Sequence, residues 1–127
     1  MGTFLRGLQT LAVFLSAVTA GLLLTYKAGH PLHSAAAYTV FGVAVVQVIA
    51  ALLAWKPGGG SPREIWFALG FLALVLAQVF LGIAHVKAVH VPLGVLLFGV
   101  SLSRLSACLP PRGRSRRPGR PASRVAA

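Results

Sequence analysis

Four long apolar stretches, separated by short polar or turn-rich segments, make up most of the chain: about Phe4 to Leu24, His33 to Trp55, Ile65 to Ile83 and His90 to Leu109. None shows the strict apolar/polar alternation of a half-buried strand. Each is near the roughly 20 residues with which an α-helix crosses about 30 Å of hydrocarbon. In lipid the backbone N–H and C=O groups must be satisfied within the segment, so unalternating runs of this length predict helices rather than barrel strands. The segment from Lys56 to Arg63 is a turn by composition, rich in Gly and Pro, and Ser61 followed by Pro62 and Glu64 has the make-up of a helix start. The pattern predicts an all-α fold, an integral membrane four-helix bundle over residues 1–109. From Pro110 to Ala127 the chain is Pro, Gly, Ser and Arg with almost nothing to bury, and this tail is predicted to be disordered.

Composition narrows the solvent. Hydrophobic residues are 57% of the chain, charged residues only 10%, and Glu64 is the sole acid. A water-facing surface normally needs about a quarter of its residues charged, so the solvent for most of this chain is expected to be the lipid bilayer. Arg6 before an apolar run, with Val18-Thr19-Ala20 after it, has features of a cleaved signal peptide. The repeat described below instead makes the first stretch a retained helix. Cys108 is the only cysteine, which excludes an intramolecular disulfide, and it reads as a small buried thiol.

The basic residues then orient the helices. With the amino terminus inside, Arg6, Lys56, Arg63, Arg104 and the tail arginines are cytoplasmic, and only Lys27 and Lys87 are outside. That matches the excess of Lys and Arg on the inner side of membrane proteins, even with the tail omitted. Both termini are therefore expected in the cytoplasm, with Trp55 and Trp66 at the inner headgroup level. The tail reads as a cytoplasmic topology anchor that also suits anionic lipid. Nucleic acid is not an expected partner, because no aromatic residue is interleaved to stack on bases.

Aligning His33 with His90 brings Phe41-Gly42-Val43 opposite Phe98-Gly99-Val100 at the same offset. The preceding helices match more weakly, Leu15, Val18 and Gly21 against Leu76, Val79 and Gly82. The repeat predicts two similar helical hairpins, both beginning and ending inside. It places His33 and His90 at one depth near the outer surface, on the second and fourth helices, where facing histidines can reach one cofactor. Gly42 and Gly99, nine residues further in, are expected to let helices approach or to leave room for a flat ligand. His30 is read as lying in the outer loop before Pro31. His85 lies five residues before His90 and need not share its face; both are secondary candidates.

Two placed imidazoles in an apolar bundle suit haem iron. A hydrolytic metal site would want a third protein ligand and usually a carboxylate. No aspartate is present for a Ser-His-Asp set, and the lack of an intramembrane acid argues against a proton-coupled exporter. The stretch Leu76 to Ile83, followed by Val89 to Gly99, resembles the third and fourth helices of one half of the haem A synthase family, and Gly29-His30-Pro31-Leu32-His33 resembles that family's second helix and its histidine. The resemblance implies haem b bound by His33 and His90 as axial iron ligands, with electron transfer or haem handling in oxidase assembly as the activity. It also implies a bacterial inner-membrane setting, with a homodimer or a respiratory-chain membrane protein as partner. The chain is half the expected length, and Lys27, Ala28 and Gly29 stand where the catalytic half of many members carries a glutamate and cysteines. A complete enzyme is therefore not expected, and no catalytic residue is assigned. The competing readings are a cofactor-free membrane scaffold or assembly subunit and, behind it, a small transporter lined by Gln47 and Gln78, residues that more commonly bond between helices.

Overall fold

A computed structural model describes residues 2–26 and 29–110. Lys27, Ala28 and all of the predicted disordered tail except Pro110 lie outside the described residues. The described chain forms four helices: α1 (Thr3–Leu23), α2 (His30–Trp55), α3 (Arg63–Ile83) and α4 (Lys87–Ser106). Each is long and apolar enough to cross a membrane. Both α2 and α4 begin three residues earlier than the apolar pattern predicts. His30 is accordingly the first residue of a helix rather than part of a loop, although it is exposed as expected. The reason is local: Pro31 falls in the first turn, where its missing N–H has no intrahelical acceptor to lose. Likewise the polar Lys87 opens α4 because helix formation there needs backbone geometry and not an apolar side chain. At the other turn, Ser61 Oγ accepts the Arg63 N–H at 3.3 Å just before α3, in keeping with its reading as a helix start.

The helices form a ring in which α1 packs on α2 and α4, and α3 packs on the same two, so that α1/α3 and α2/α4 are diagonal pairs. Small residues hold the core: Ala12 and Ala44 are buried beside Val13, Val40, Val75 and Leu97, and Ala51 and Ala68 beside Ile65 in a second cluster. Side chains of this size let helix axes approach closely, which is how helices associate when the surroundings are as apolar as the interior. The exterior is apolar as well, with Phe80, Val95 and Leu53 each more than half exposed. Such a surface suits hydrocarbon and would expose an extended apolar patch to water. Phe41 and Phe98 both pack against the core and Gly42 and Gly99 are both exposed, so the repeated Phe-Gly-Val has the same environment in each hairpin.

The end of the bundle bearing the α2–α3 turn is tied by charge. Glu64 Oε2 accepts from Arg6 Nη2 at 2.9 Å and from Arg104 Nη2 at 2.6 Å, which links α3 to its diagonal partner α1 and to α4. Arg6 also donates to the Arg104 carbonyl and to Cys108 Sγ. Cys108 is half-buried, not enclosed, because it lies past the end of α4 against this arginine. Glu64→Gln is expected to lower unfolding free energy by about 1–2 kcal/mol, between the values for exposed and fully buried ion pairs. Chemical denaturation in detergent, followed by circular dichroism, measures it. An unchanged midpoint would mean that solvent screens the pair.

Candidate functional site

The four histidines of the chain converge at the opposite end of the bundle, where His30, His33, His85 and His90 line one cavity of about 590 Å³. Each member of the predicted pair is the fourth residue of its helix, His33 in α2 and His90 in α4. These helices are diagonal partners, so the two imidazoles face each other across the bundle axis, with ring centroids 6.2 Å apart and planes at 76°.

Each ring is held by the helix that precedes it. His33 Nδ1 lies 3.1 Å from the Ser16 carbonyl and 3.3 Å from Thr19 Oγ1. His90 Nδ1 lies 2.9 Å from the Gln78 carbonyl. A carbonyl can only accept, so both Nδ1 atoms carry a proton and donate; in the neutral form of each ring that leaves Nε2 with its lone pair. Ser16 and Gln78 lie one position apart in the repeat register, and the two hairpins reach the same tautomer through nearly equivalent carbonyls. Gln78 also donates its Nε2 to the His90 carbonyl at 2.8 Å, clamping the start of α4 from both sides. This is the interhelical use of a glutamine within a helix bundle, and the buried Gln47 follows it by donating to the Leu5 carbonyl at 3.1 Å.

Glycine placement differs from the sequence expectation. Gly42 and Gly99 neither bring helices together nor border the cavity: a Cβ at either would meet nothing within 4 Å. Nine residues are two and a half helical turns, so both glycines project from the face opposite their histidine. The close approaches are at Gly82, where a Cβ would lie 3.2 Å from His90 Cε1, and at Gly94, where it would lie 3.0 Å from Gln78 Nε2. Gly21, aligned with Gly82 in the repeat, borders nothing. Ser16, Thr19, Gly82 and Gly94 were not singled out as site residues by the sequence, although a small residue in the last turn of α3 and a hydroxyl in α1 were visible signals.

His85 ends α3 in the left-handed region, with φ at 57°. The Val86 N–H bonds to the Leu81 carbonyl at 3.0 Å and the His85 N–H to the Gly82 carbonyl at 3.2 Å, the two bonds of a Schellman ending. That position favours glycine, because a Cβ there crowds the following carbonyl. His85→Gly is therefore expected to stabilise the fold by about 1 kcal/mol, read as a rise in thermal midpoint in detergent; a fall would show that the imidazole makes a compensating contact.

Among the described residues no three His, Cys, Asp or Glu side chains group closely enough to share one metal ion. The donor set is a pair of imidazoles, with His30 and His85 exposed at the cavity. Two imidazoles holding one metal from opposite sides, at about 2 Å from each nitrogen, place their centroids roughly 6 Å apart, and the observed 6.2 Å agrees. The volume lies in the range of cofactor sites. Leu23, Leu81 and Val91 supply apolar wall, and Lys87 supplies a cation suited to a carboxylate-bearing group. These residues fit haem.

Fold and site together define a class: an all-helical chain of four spanning-length helices with a paired-histidine cavity at one end of the bundle. Comparison with family models, with curated proteins and with solved structures finds no match to this chain.

Proposed function

We propose that the protein is a multi-pass membrane protein that binds haem b through His33 and His90, a b-type-cytochrome-like module for electron transfer or haem handling during oxidase assembly. The observation that carries this reading is the histidine pair itself: two imidazoles at equal depth on diagonal helices, each anchored through Nδ1 so that Nε2 is left to ligate. In this proposal the helices span the bacterial inner membrane with both termini in the cytoplasm and the histidines near the outer surface. The proposed relation to half of a haem A synthase rests on the stretches quoted above. A second copy of the chain or a respiratory-chain membrane protein is the proposed partner, and anionic lipid the proposed contact of the basic tail.

Haem, when bound, supplies one-electron exchange at iron. The chain's own residues do the rest. The Ser16 and Gln78 carbonyls hold the rings in one tautomer and raise the basicity of the ligating nitrogens. Leu23 and Leu81 keep water from the cavity walls, and Lys87 offers a counter-charge at its edge. The test is the visible spectrum of detergent-purified protein, oxidised and dithionite-reduced, with haem added where none is carried through purification. A sharp reduced α band is expected. A colourless protein that takes up no added haem would overturn the reading and leave the membrane scaffold as the better account.

A further inference from the structure

A second cavity, at the arginine end, has a chemistry the histidine site does not use. It measures about 190 Å³ and is lined by Arg6, Gln9, Phe67, Phe71 and Leu74 among others. Gln9 is only 3% exposed, yet neither its Nε2 nor its Oε1 has a hydrogen-bond partner among the described residues, and Arg6 Nε has none either. A buried amide with both ends unmatched is costly, by about 1–3 kcal/mol per group. Such groups call for an explanation in what fills the space beside them.

Size, charge and access each narrow the occupant. An apolar cavity of about 150 Å³ takes up a benzene ring, so this one admits a single substituted six-membered ring and not a larger cofactor. The Arg6 and Arg104 charges are already shared with Glu64, and both Arg6 Nη atoms are engaged, so little is left to hold a phosphate. The free set is two N–H donors and one carbonyl acceptor in mostly apolar walls. Trp66 and Gly70, both exposed on the outer side of α3, also line the cavity, which makes the entry route the surrounding lipid.

We infer that this cavity binds the ring of a lipid-borne quinone, with Gln9 as its principal hydrogen-bonding residue. A quinone oxygen accepts a hydrogen bond when oxidised and donates one when reduced. The Gln9 amide answers both forms, donating from Nε2 and accepting at Oε1, while Arg6 Nε donates to a ring carbonyl. The inference rests on this cavity alone and stands apart from the haem reading.

The experiment uses the Trp55→Phe full-length protein, in which Trp66 at the cavity mouth is the only tryptophan. Duroquinone is titrated into detergent micelles and Trp66 fluorescence is followed. Saturable quenching is expected, with the dissociation constant raised at least tenfold by Gln9→Leu while the thermal midpoint holds or rises. Gly70→Leu provides a second variant: a Cβ at Gly70 meets nothing within 4 Å, so the fold tolerates it, and the longer side chain is expected to obstruct the mouth and weaken quenching by a similar factor. Linear quenching that is the same in parent and both variants would reduce the effect to partition into the micelle and overturn the inference. Loss of quenching on adding anionic phospholipid would also overturn it, assigning the cavity to a headgroup. The α band, read in the same samples, is expected to be unmoved by either variant, so failure here leaves the haem reading untouched.

Discussion

His33→Ala and His90→Ala are each expected to abolish the low-spin reduced spectrum and to weaken haem binding by roughly 100-fold or more. Losing even an outer-shell partner of a metal ligand costs about 10–100-fold, and these substitutions remove the ligand itself. The effect should be symmetric, because each histidine is the fourth residue of its helix and each is anchored by a carbonyl from the helix before it. His30→Ala and His85→Ala serve as controls and should keep the spectrum, since both side chains are exposed and neither belongs to the facing pair. The measurement is a haem titration with reduced-minus-oxidised spectra of the four variants. A His33→Ala protein with an unchanged α band would remove His33 from the site and bring down the paired arrangement with it.

Gly82→Val is expected to weaken haem binding by about 10–100-fold through His90, without touching iron. The first added carbon would already lie 3.2 Å from His90 Cε1 and 3.5 Å from Nδ1. The imidazole must then tilt, and its Nδ1 bond to the Gln78 carbonyl must stretch. Gly21→Val is the matched control: it makes the same change at the aligned position of the other hairpin, where nothing lies within 4 Å. Equal haem titrations for the two variants would mean that His90 has slack in its seat. Circular dichroism of both proteins separates this effect from a loss of helix.

The two halves of the repeat were legible to different degrees. His33 and His90 stood out because their spacing to Phe-Gly-Val recurs, and the structure brings those two rings to a centroid separation of 6.2 Å with their planes nearly perpendicular. The weaker match between the first and third helices does not extend to surroundings, since Gly82 abuts a histidine and Gly21 does not. Gly42 and Gly99 lie at a depth that suits close helix approach or a flat ligand, but the half-turn that nine residues add points them away from the neighbouring helices. Glu64 was visible as the only acid, but its two partners sit 58 residues before it and 40 after, on different helices.

The sequence by itself determined the number of helices, their approximate limits and their suitability for lipid. Apolar run length and the demand that backbone groups be satisfied within the segment are local properties, readable residue by residue. Only the tertiary structure decided how each helix is rotated about its axis, and with that which residues meet. A helix such as α2, apolar on nearly every face, carries almost no amphipathic signal to set that rotation. The rotation comes instead from small-residue packing and a few polar contacts between helices. These contacts set His33 against the Ser16 carbonyl, His90 against Gly82 and Gln78, and Glu64 between two arginines. Gln9 was left in the opposite cavity with its amide unmatched among the described residues.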